Sequence, residues 1–200
     1  MARTRNEAAY ETARSKLLDT GLDLIRENSF ASVGINDVLK ACGVPKGSFY
    51  HYFDTKEAFG IAVARHYNAQ EVATAQSILS DVSIPPLKRL KSFFEGARQG
   101  MKDRAFAQGC LMCNLSTELA DEKPEFQAEL DTHWQAMVRE LTACLKEMDT
   151  SDIGLGHLSA HEAADWLMNS WSGALTRMKA CRDDEPLALF MRTIFKNEGI

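Results

Sequence analysis

The most regular feature of the chain is a set of apolar residues that recur every three or four positions, the spacing of a helix that buries one face. The pattern is clearest after Pro124, in the run Phe126, Leu130, Trp134, Met137, Val138, Leu141, Leu145 and Met148. Eight further segments show the same spacing, and they begin near residues 6, 32, 46, 54, 87, 110, 159 and 186. No run of residues alternates as a strand would. We therefore predict an all-α fold of about nine helices.

Polar residues mark several predicted helix starts. Ser159 followed by Glu162, and Asp54 followed by Glu57, have the spacing of a capping box, in which each residue caps the other's backbone N–H. Ser32 is in a position to cap a helix that ends at Cys42. The sequence thus predicts helices that begin at these three points, with a break at residues 83–86, where two prolines stand together.

The segment 42–53 indicates a binding partner. Gly43 suits the left-handed conformation that ends a helix, and Pro45 suits the first turn of the next one, because it has no N–H to leave unpaired. Two short helices joined by a tight turn with glycine form the helix-turn-helix that places its second helix in the major groove of DNA. We predict a recognition helix over residues 46–52.

The spacing within this segment also predicts which side chains contact DNA. Phe49 and Phe53 are four residues apart and should pack inward. The outer face would then carry Lys46, Gly47, Ser48, Tyr50 and His51. Base edges are expected to meet Lys46 and Ser48, and phosphates to meet Tyr50, His51 and Lys56. A helix-turn-helix that only packs remains the alternative.

The distribution of charge indicates which part of the chain would bind DNA. The 200 residues carry 23 Lys and Arg against 28 Asp and Glu, but residues 1–67 hold nine against eight. A nearly neutral N-terminal third beside an acidic remainder fits a DNA-binding module joined to a body that does not bind DNA. Five cysteines, no signal peptide and no long apolar run predict free thiols, a cytoplasmic location and no membrane partner.

Residues from about 14 to 67 resemble the DNA-binding domain of TetR-family transcriptional repressors. The resemblance rests on Phe30, Val38, Leu39, the run from Gly43 to Phe53, Lys56 and Glu57. It implies a homodimer that binds a palindromic operator in double-stranded DNA, with a DNA-binding domain at 1–54. It also implies a helical domain at 55–200 for ligand binding and dimerisation. Thr4 and Arg5 could add an arm that touches phosphate or the minor groove.

A second stretch, residues 109–118, is similar to one subgroup of this family, together with Trp171, Gly173, Ala174 and Lys179. The subgroup contains the N-ethylmaleimide-reductase repressor and the acrylate-responsive repressor. The resemblance implies that Cys110 senses reactive electrophiles or oxidants, and that Lys179 cooperates with it. A helix N-terminus would favour the Cys110 thiolate, as would a nearby lysine. Cys113 lies on the same face and could join Cys110 in a disulfide or simply be packed.

Other interpretations of Cys110 stay open. It could pack beside a small organic ligand that binds without a covalent bond, or act as an enzyme nucleophile with His133 or His161 as base. A third possibility is a helical interaction protein that has lost DNA binding. A metal would need two more ligands near Cys110 and Cys113, and the other histidines and cysteines are scattered, so we expect neither metal nor cofactor.

Two groups of apolar residues complete the predictions. The first could line a ligand pocket between helices and consists of Phe93, Met112, Trp134, Met137 and Trp171. The second could form a four-helix dimer interface and consists of Trp166, Leu175, Phe190, Ile194 and Phe195. The alternative for the first group is ordinary core packing.

Overall fold

The computed structural model describes residues 2–196, with side chains except those of residues 2–7 and Lys46. This range is helical throughout, with no strand, so the predicted all-α fold is confirmed. The α-helices are α1 (Ala2–Glu27), α2 (Ile35–Cys42), α3 (Lys56–Leu79), α4 (Pro86–Asp103), α5 (Leu111–Leu119), α6 (Pro124–Leu145), α7 (Ala160–Cys181) and α8 (Glu185–Ile194). Short 3₁₀ helices lie at Lys46–His51 and Thr150–Ile153.

One predicted capping box is confirmed at the start of α7. The backbone N–H of Ser159 donates to a Glu162 carboxylate oxygen at 2.8 Å, and the N–H of Glu162 donates to Ser159 Oγ at 3.3 Å. The helix therefore begins where the sequence places it.

The other two predicted caps are wrong. Helix α2 begins after Gly34, whose N–H donates to the carboxylate of Asp37 at 2.9 Å, while Ser32 is held in a turn by Ser29. Helix α3 begins after Thr55, whose Oγ1 accepts the N–H of Ala58 at 3.0 Å. Asp54 is therefore not the N-cap, and the carboxylate of Glu57 instead accepts a hydrogen bond from the ammonium of Lys123 at 3.0 Å.

The recognition segment is a 3₁₀ helix rather than the predicted α-helix. Its backbone bonds run from residue i+3 to residue i, from Ser48 to Pro45 and from Tyr52 to Phe49, each at 2.9 Å. Six residues that follow a proline leave little room for the longer-range bonds of an α-helix, and the tighter 3₁₀ turn is common in such short pieces. The preceding turn follows the prediction, with Gly43 in the left-handed region at φ 69°.

Two apolar cores organise the molecule. The first lies among α1, α2, the recognition segment and the first half of α3, and it also takes in α5 and the start of α6. The second lies among the end of α3, α4, most of α6, α7 and α8. Cys110 and Trp134 pack against both cores. Cys110, which is predicted to sense a signal, thus lies at the seam between the two cores. The predicted domain boundary at residue 54 stays a prediction.

The first core extends across to α6 through a pair of rings. Phe30, in the α1–α2 turn, packs edge-to-face on Phe126 at 5.2 Å between centroids. The close approach of α3 to both rings requires Gly60, because a methyl group there would overlap Phe30 and come within 2.8 Å of Phe126 Cζ.

Replacing Gly60 with alanine should destabilise the protein by about 1–3 kcal/mol, the usual cost of overpacking a filled core. Gly96→Ala is the matched control, because Gly96 is also inside a helix and has nothing within 4 Å of the added methyl. That change should stabilise the protein by about 0.4–1 kcal/mol, because alanine leaves the unfolded chain fewer conformations than glycine does. Urea unfolding of the two variants checks both signs. Equal stability would contradict the packing around Gly60.

Candidate functional site

The recognition segment is fixed from beneath by aromatic rings. Phe49 is fully buried and packs on Phe53 and Phe59 with ring centroids 5.5 and 5.4 Å apart. From α1, the Tyr10 ring lies 4.6 Å from that of Tyr52. The inward packing predicted for Phe49 and Phe53 is confirmed, and the segment is held rigidly against α1 and α3.

The opposite side of the segment faces solvent. Tyr50 is 61% exposed, Gly47 and His51 are exposed, and Ser48 is half-buried. Lys56 is turned inward, since its ammonium donates to the carbonyl of Ala31 at 3.1 Å. The side chains of Lys46, Thr4 and Arg5 lie outside the described part of the structure. The predicted DNA contacts of all these residues stay predictions.

Cys110 occupies the N-cap of α5, in extended backbone conformation. Its thiol is half-buried, and the hydroxyl of Tyr67 on α3 donates to Cys110 Sγ at 3.7 Å. The N-cap lies at the positive end of the helix dipole, a position that favours a thiolate.

The pKa of Cys110 is lowered to about 7, chiefly because the Cys113 thiol donates a hydrogen bond to it. The backbone N–H of Cys113 and the hydroxyl of Tyr67 act in the same direction, while burial opposes them. Conversely, the pKa of Cys113 is raised, because its proton is held by Cys110 and because it is buried. A sizeable fraction of Cys110 is therefore thiolate near neutral pH, and the thiolate is the reactive form.

Lys179 lies near this site but acts on other atoms. Its ammonium donates to Asn114 Oδ1 at 3.0 Å, and the lowered pKa of Cys110 comes from Cys113 and Tyr67. We expected Lys179 to lower the pKa of Cys110. In the structure, Cys113 and Tyr67 lower it instead. Its participation in sensing stays a prediction.

Helix α5 is attached to the α1–α2 region at both ends, by contacts that we call the α5 clamp. At the N-terminal end, Arg26 Nη2 donates to the carbonyl of Gly109 at 3.1 Å. At the C-terminal end, the carboxylate of Glu118 accepts the backbone N–H groups of Phe30 and Ala31, at 3.1 and 2.7 Å. The helix that begins at the thiol therefore holds the turn that leads into the helix-turn-helix.

The loop that enters α5 has strained backbone. Ala105, Phe106 and Gln108 have φ of 51°, 58° and 66°, and Gly109 has φ of 68°. Left-handed conformations cost residues other than glycine about 1–3 kcal/mol each, and they persist only where other contacts hold them. Asn114 supplies one such contact by donating to the carbonyl of Gln108 at 2.8 Å. The loop can therefore relax when its contacts change.

A cavity of about 50 Å³ lies beside the thiol. Phe93, Trp134, Met137 and Trp171 line it, as predicted, whereas Met112 lies fully buried in the first core. Glu71, His133 and Ser172 are its polar groups besides Tyr67 and Cys110. Burial lowers the pKa of His133 to about 4, so this ring is neutral. Burial also raises the pKa of Glu71, against the effect of Arg26 and Arg104.

Of the residues predicted for dimerisation, Trp166 alone is exposed, at 40%. Leu175, Phe190, Ile194 and Phe195 are at most 6% exposed and pack in the second core of the protomer. Phe190 and Ile194 also line a shallow groove beside Trp166 and the half-exposed Leu189. Their role in a dimer stays a prediction.

The described residues contain no cluster of three or more His, Cys, Asp and Glu that could hold a metal ion. Within the same range no helix is both long and apolar enough to cross a membrane.

Family models match both halves of the chain. Residues 17–63 match the model of bacterial regulatory proteins of the tetR family, and residues 86–194 match that of the tetracyclin repressor-like C-terminal domain. The chain belongs to the TetR family. It is a TetR-type transcriptional repressor, and its curated relatives are named as transcriptional regulators rather than enzymes.

Individual relatives match almost the full length. The chain is 33% identical to the transcriptional repressor DhaR of Mycobacterium sp. strain GP1, over 94% of this chain and 93% of that protein. It is 34% identical to the transcriptional regulator AcuR of Cereibacter sphaeroides, over 96% and 87% of the two chains. The crystal structure of reduced NemR from E. coli has a TM-score of 0.83 at 28% identity, over 92% and 96%. These relatives confirm the resemblance to the subgroup.

Sequence reasoning missed the residues that join the thiol to the rest of this TetR-family protein. Tyr67 reaches Cys110 across 43 positions of the chain, and Glu118 reaches Phe30 across 88. Tyr67 appears in the sequence only as another member of an apolar helical stripe, and Glu118 only as a polar residue near a helix end. No local spacing signals contacts between such distant residues.

The pKa of Cys110 predicts how its reactivity depends on pH. Its alkylation rate should rise with a midpoint near pH 7, because only the thiolate reacts. Tyr67→Phe and Cys113→Ala each remove a hydrogen bond to the thiolate, so each should raise the midpoint. If the midpoint rises by about one pH unit, the fraction of Cys110 that is thiolate at pH 7 falls about fivefold. Mass spectrometry measures alkylation of Cys110 against the exposed Cys181 in the same sample. Equal midpoints in all three proteins would contradict this account.

Proposed function

We propose that this repressor binds a palindromic operator as a homodimer in the cytoplasm and leaves DNA when an electrophile or oxidant modifies Cys110. The observation that carries the proposal is the position of Cys110. Cys110, whose pKa is lowered to about 7, occupies the N-cap position of α5, and α5 is clamped at both ends to the α1–α2 region. Chemistry at the sulfur therefore acts on the helix that holds the DNA-binding part.

On the DNA side, the exposed face of the recognition segment supplies the contacts. Tyr50 and His51 donate to phosphates, while Ser48 and Lys46 meet base edges, with Gly47 allowing the backbone to approach the groove closely. The rings of Phe49 and Phe53 keep this face in place without facing DNA themselves.

A dimer places two such faces on the two halves of a palindrome. The groove between α7 and α8 supports this assembly, because Trp166 and Leu189 are large apolar side chains that stay 40% and 50% exposed in the protomer. A second copy of the chain would cover them with its own α7 and α8, in the self-complementary way of a two-fold interface.

Release follows from the close packing at the seam between the two cores. The cavity beside Cys110 measures only about 50 Å³, so it offers little room for an adduct on the sulfur. A larger group displaces Tyr67 or the start of α5, because a close-packed interior has no other room. Movement of α5 strains or breaks the α5 clamp and changes the position of the recognition segment relative to that of the partner.

A non-covalent inducer is the second candidate. The cavity is lined mainly by aromatic and methionine side chains, with a few polar groups, which is the composition of small-molecule sites. Such a ligand would act on α5 through Tyr67 and Trp134 rather than through a bond to sulfur.

Operator binding, followed by fluorescence anisotropy, tests the proposal. The wild type should bind a palindrome from the region upstream of its own gene, with an affinity that falls steeply as salt rises. Tyr50→Ala should weaken binding roughly tenfold or more, the value of one hydrogen bond to a charged group. Val82→Ala is the control, because Val82 is 84% exposed and lies far from the recognition segment in the chain.

The release step is tested with a panel of quinones, acrylamide and hypochlorite. These reagents should release the wild type and Cys181→Ser from the operator, while Cys110→Ser should stay bound. If Cys110→Ser is released as easily as the wild type, Cys110 is not the sensor. Release of Cys110→Ser by a ligand that forms no adduct would support the non-covalent candidate.

A further inference from the structure

Cys110 and Cys113 form a thiol pair within one turn of the start of α5. Cys110 is the N-cap and Cys113 is the third residue of the helix, the two positions that meet each other in a capping box. All five cysteines are free in this structure. Cys110 precedes the first helical residue, so its side chain can turn toward Cys113 without unwinding α5.

We propose that Cys113 is the resolving cysteine of an oxidant response, which converts the oxidised form of Cys110 into a Cys110–Cys113 disulfide. The inference rests on the proposed sensing role of Cys110. It adds a modification site, and it assigns peroxides and hypochlorous acid as a class of signal separate from alkylating electrophiles.

The reaction with hydrogen peroxide proceeds in two steps. The Cys110 thiolate attacks one peroxide oxygen, the O–O bond breaks, and hydroxide leaves and takes up a proton to become water. The product is a sulfenic acid on Cys110. The sulfur of Cys113 then attacks the sulfur of Cys110, the S–O bond breaks, and the hydroxyl group leaves as water with the Cys113 proton. Two thiols thus lose two electrons and two protons, and one peroxide becomes two waters.

The two thiols are suited to different steps. Cys110 carries the negative charge and is the attacking group, because it accepts hydrogen bonds from Tyr67 and Cys113. Cys113 keeps its proton while Cys110 is a thiolate, because that thiolate is the main cause of its raised pKa. Oxidation of Cys110 removes this cause, so Cys113 can then ionise and attack. The competing nucleophile, Lys179, has its ammonium bound to Asn114. The geometry therefore favours a sulfur–sulfur bond over a sulfur–nitrogen bond.

The disulfide also changes the surroundings of α5. A disulfide fixes the two sulfurs about 2.05 Å apart, and it leaves no thiolate on Cys110 to accept the hydrogen bond of Tyr67. Gly109 directly precedes Cys110 in the chain, and Arg26 holds its carbonyl in the α5 clamp. Oxidation would thereby act on the same attachment as alkylation does, but reduction can reverse it.

The test compares the wild type with Cys113→Ser, which keeps a hydroxyl donor for the Cys110 thiolate but cannot form the disulfide. Both proteins are treated with hydrogen peroxide or with acrylamide, and then with dithiothreitol. Operator binding and intact mass are measured at each stage. Cys181→Ser is the control for loss of an exposed thiol.

With peroxide, the wild type should lose about 2 Da and release the operator, and dithiothreitol should restore both. Peptide mapping should assign the bond to Cys110 and Cys113. Cys113→Ser should instead gain about 16 Da or more, and excess peroxide should leave most of it beyond rescue as sulfinic and sulfonic acids. Acrylamide should modify Cys110 and release both proteins, with no recovery.

Three results would overturn the inference. In the first, the new bond joins Cys110 to Lys179 or to a second protein molecule. In the second, peroxide releases Cys113→Ser from the operator as reversibly as it releases the wild type. In the third, acrylamide releases the wild type but peroxide forms no disulfide. The last of these leaves the electrophile sensor intact. A Cys110 that reacts with neither reagent would reject the proposed function itself, and the resolving role of Cys113 with it.

Discussion

The arrangement of the molecule depends on one short helix that is attached to the DNA-binding region at both ends. Helix α5 begins at the Cys110 thiol and ends near Glu118, whose carboxylate holds the backbone of Phe30 and Ala31. Arg26 holds the residue before the thiol. With nine residues, α5 spans about 13 Å, so a displacement at the sulfur can reach the α1–α2 turn through one rigid element.

The energies involved are small enough for a single chemical event to matter. A hydrogen bond to a charged group contributes about 1.5–3 kcal/mol, so loss of one clamp contact shifts an equilibrium between two arrangements about tenfold or more. Three left-handed residues before Gly109 add strain that favours movement once the contacts are lost. The same site joins the reactive thiol to the cavity, because Tyr67 touches the sulfur and lines the cavity.

Local patterns predicted the helices and the recognition turn, because both depend on neighbouring residues. Gly43 and the inward pair Phe49 and Phe53 behave as their spacing indicates. Helix starts were less predictable, since Thr55 competes with Asp54 as a cap and only tertiary contacts decide between them. The position of Cys110 at a helix start was also predictable. Cys113, the chief cause of the lowered pKa of Cys110, is only three residues away, but the contribution of Tyr67 was not predictable because it comes from a distant helix. Burial of Leu175 and Phe195 in the second core likewise depends on how the helices pack.

The central claim is that modification of Cys110 loosens the α5 clamp, and amide hydrogen exchange at Phe30 and Ala31 measures this most directly. Both amides donate to Glu118, so they should be protected in the unmodified protein. After alkylation of Cys110, exchange at both should accelerate roughly tenfold or more, the change expected when one hydrogen bond of about 1.5 kcal/mol is lost. Cys110→Ser treated with the same reagent should show no change. Unaltered protection at Phe30 and Ala31 in alkylated protein that has released its operator would contradict the account.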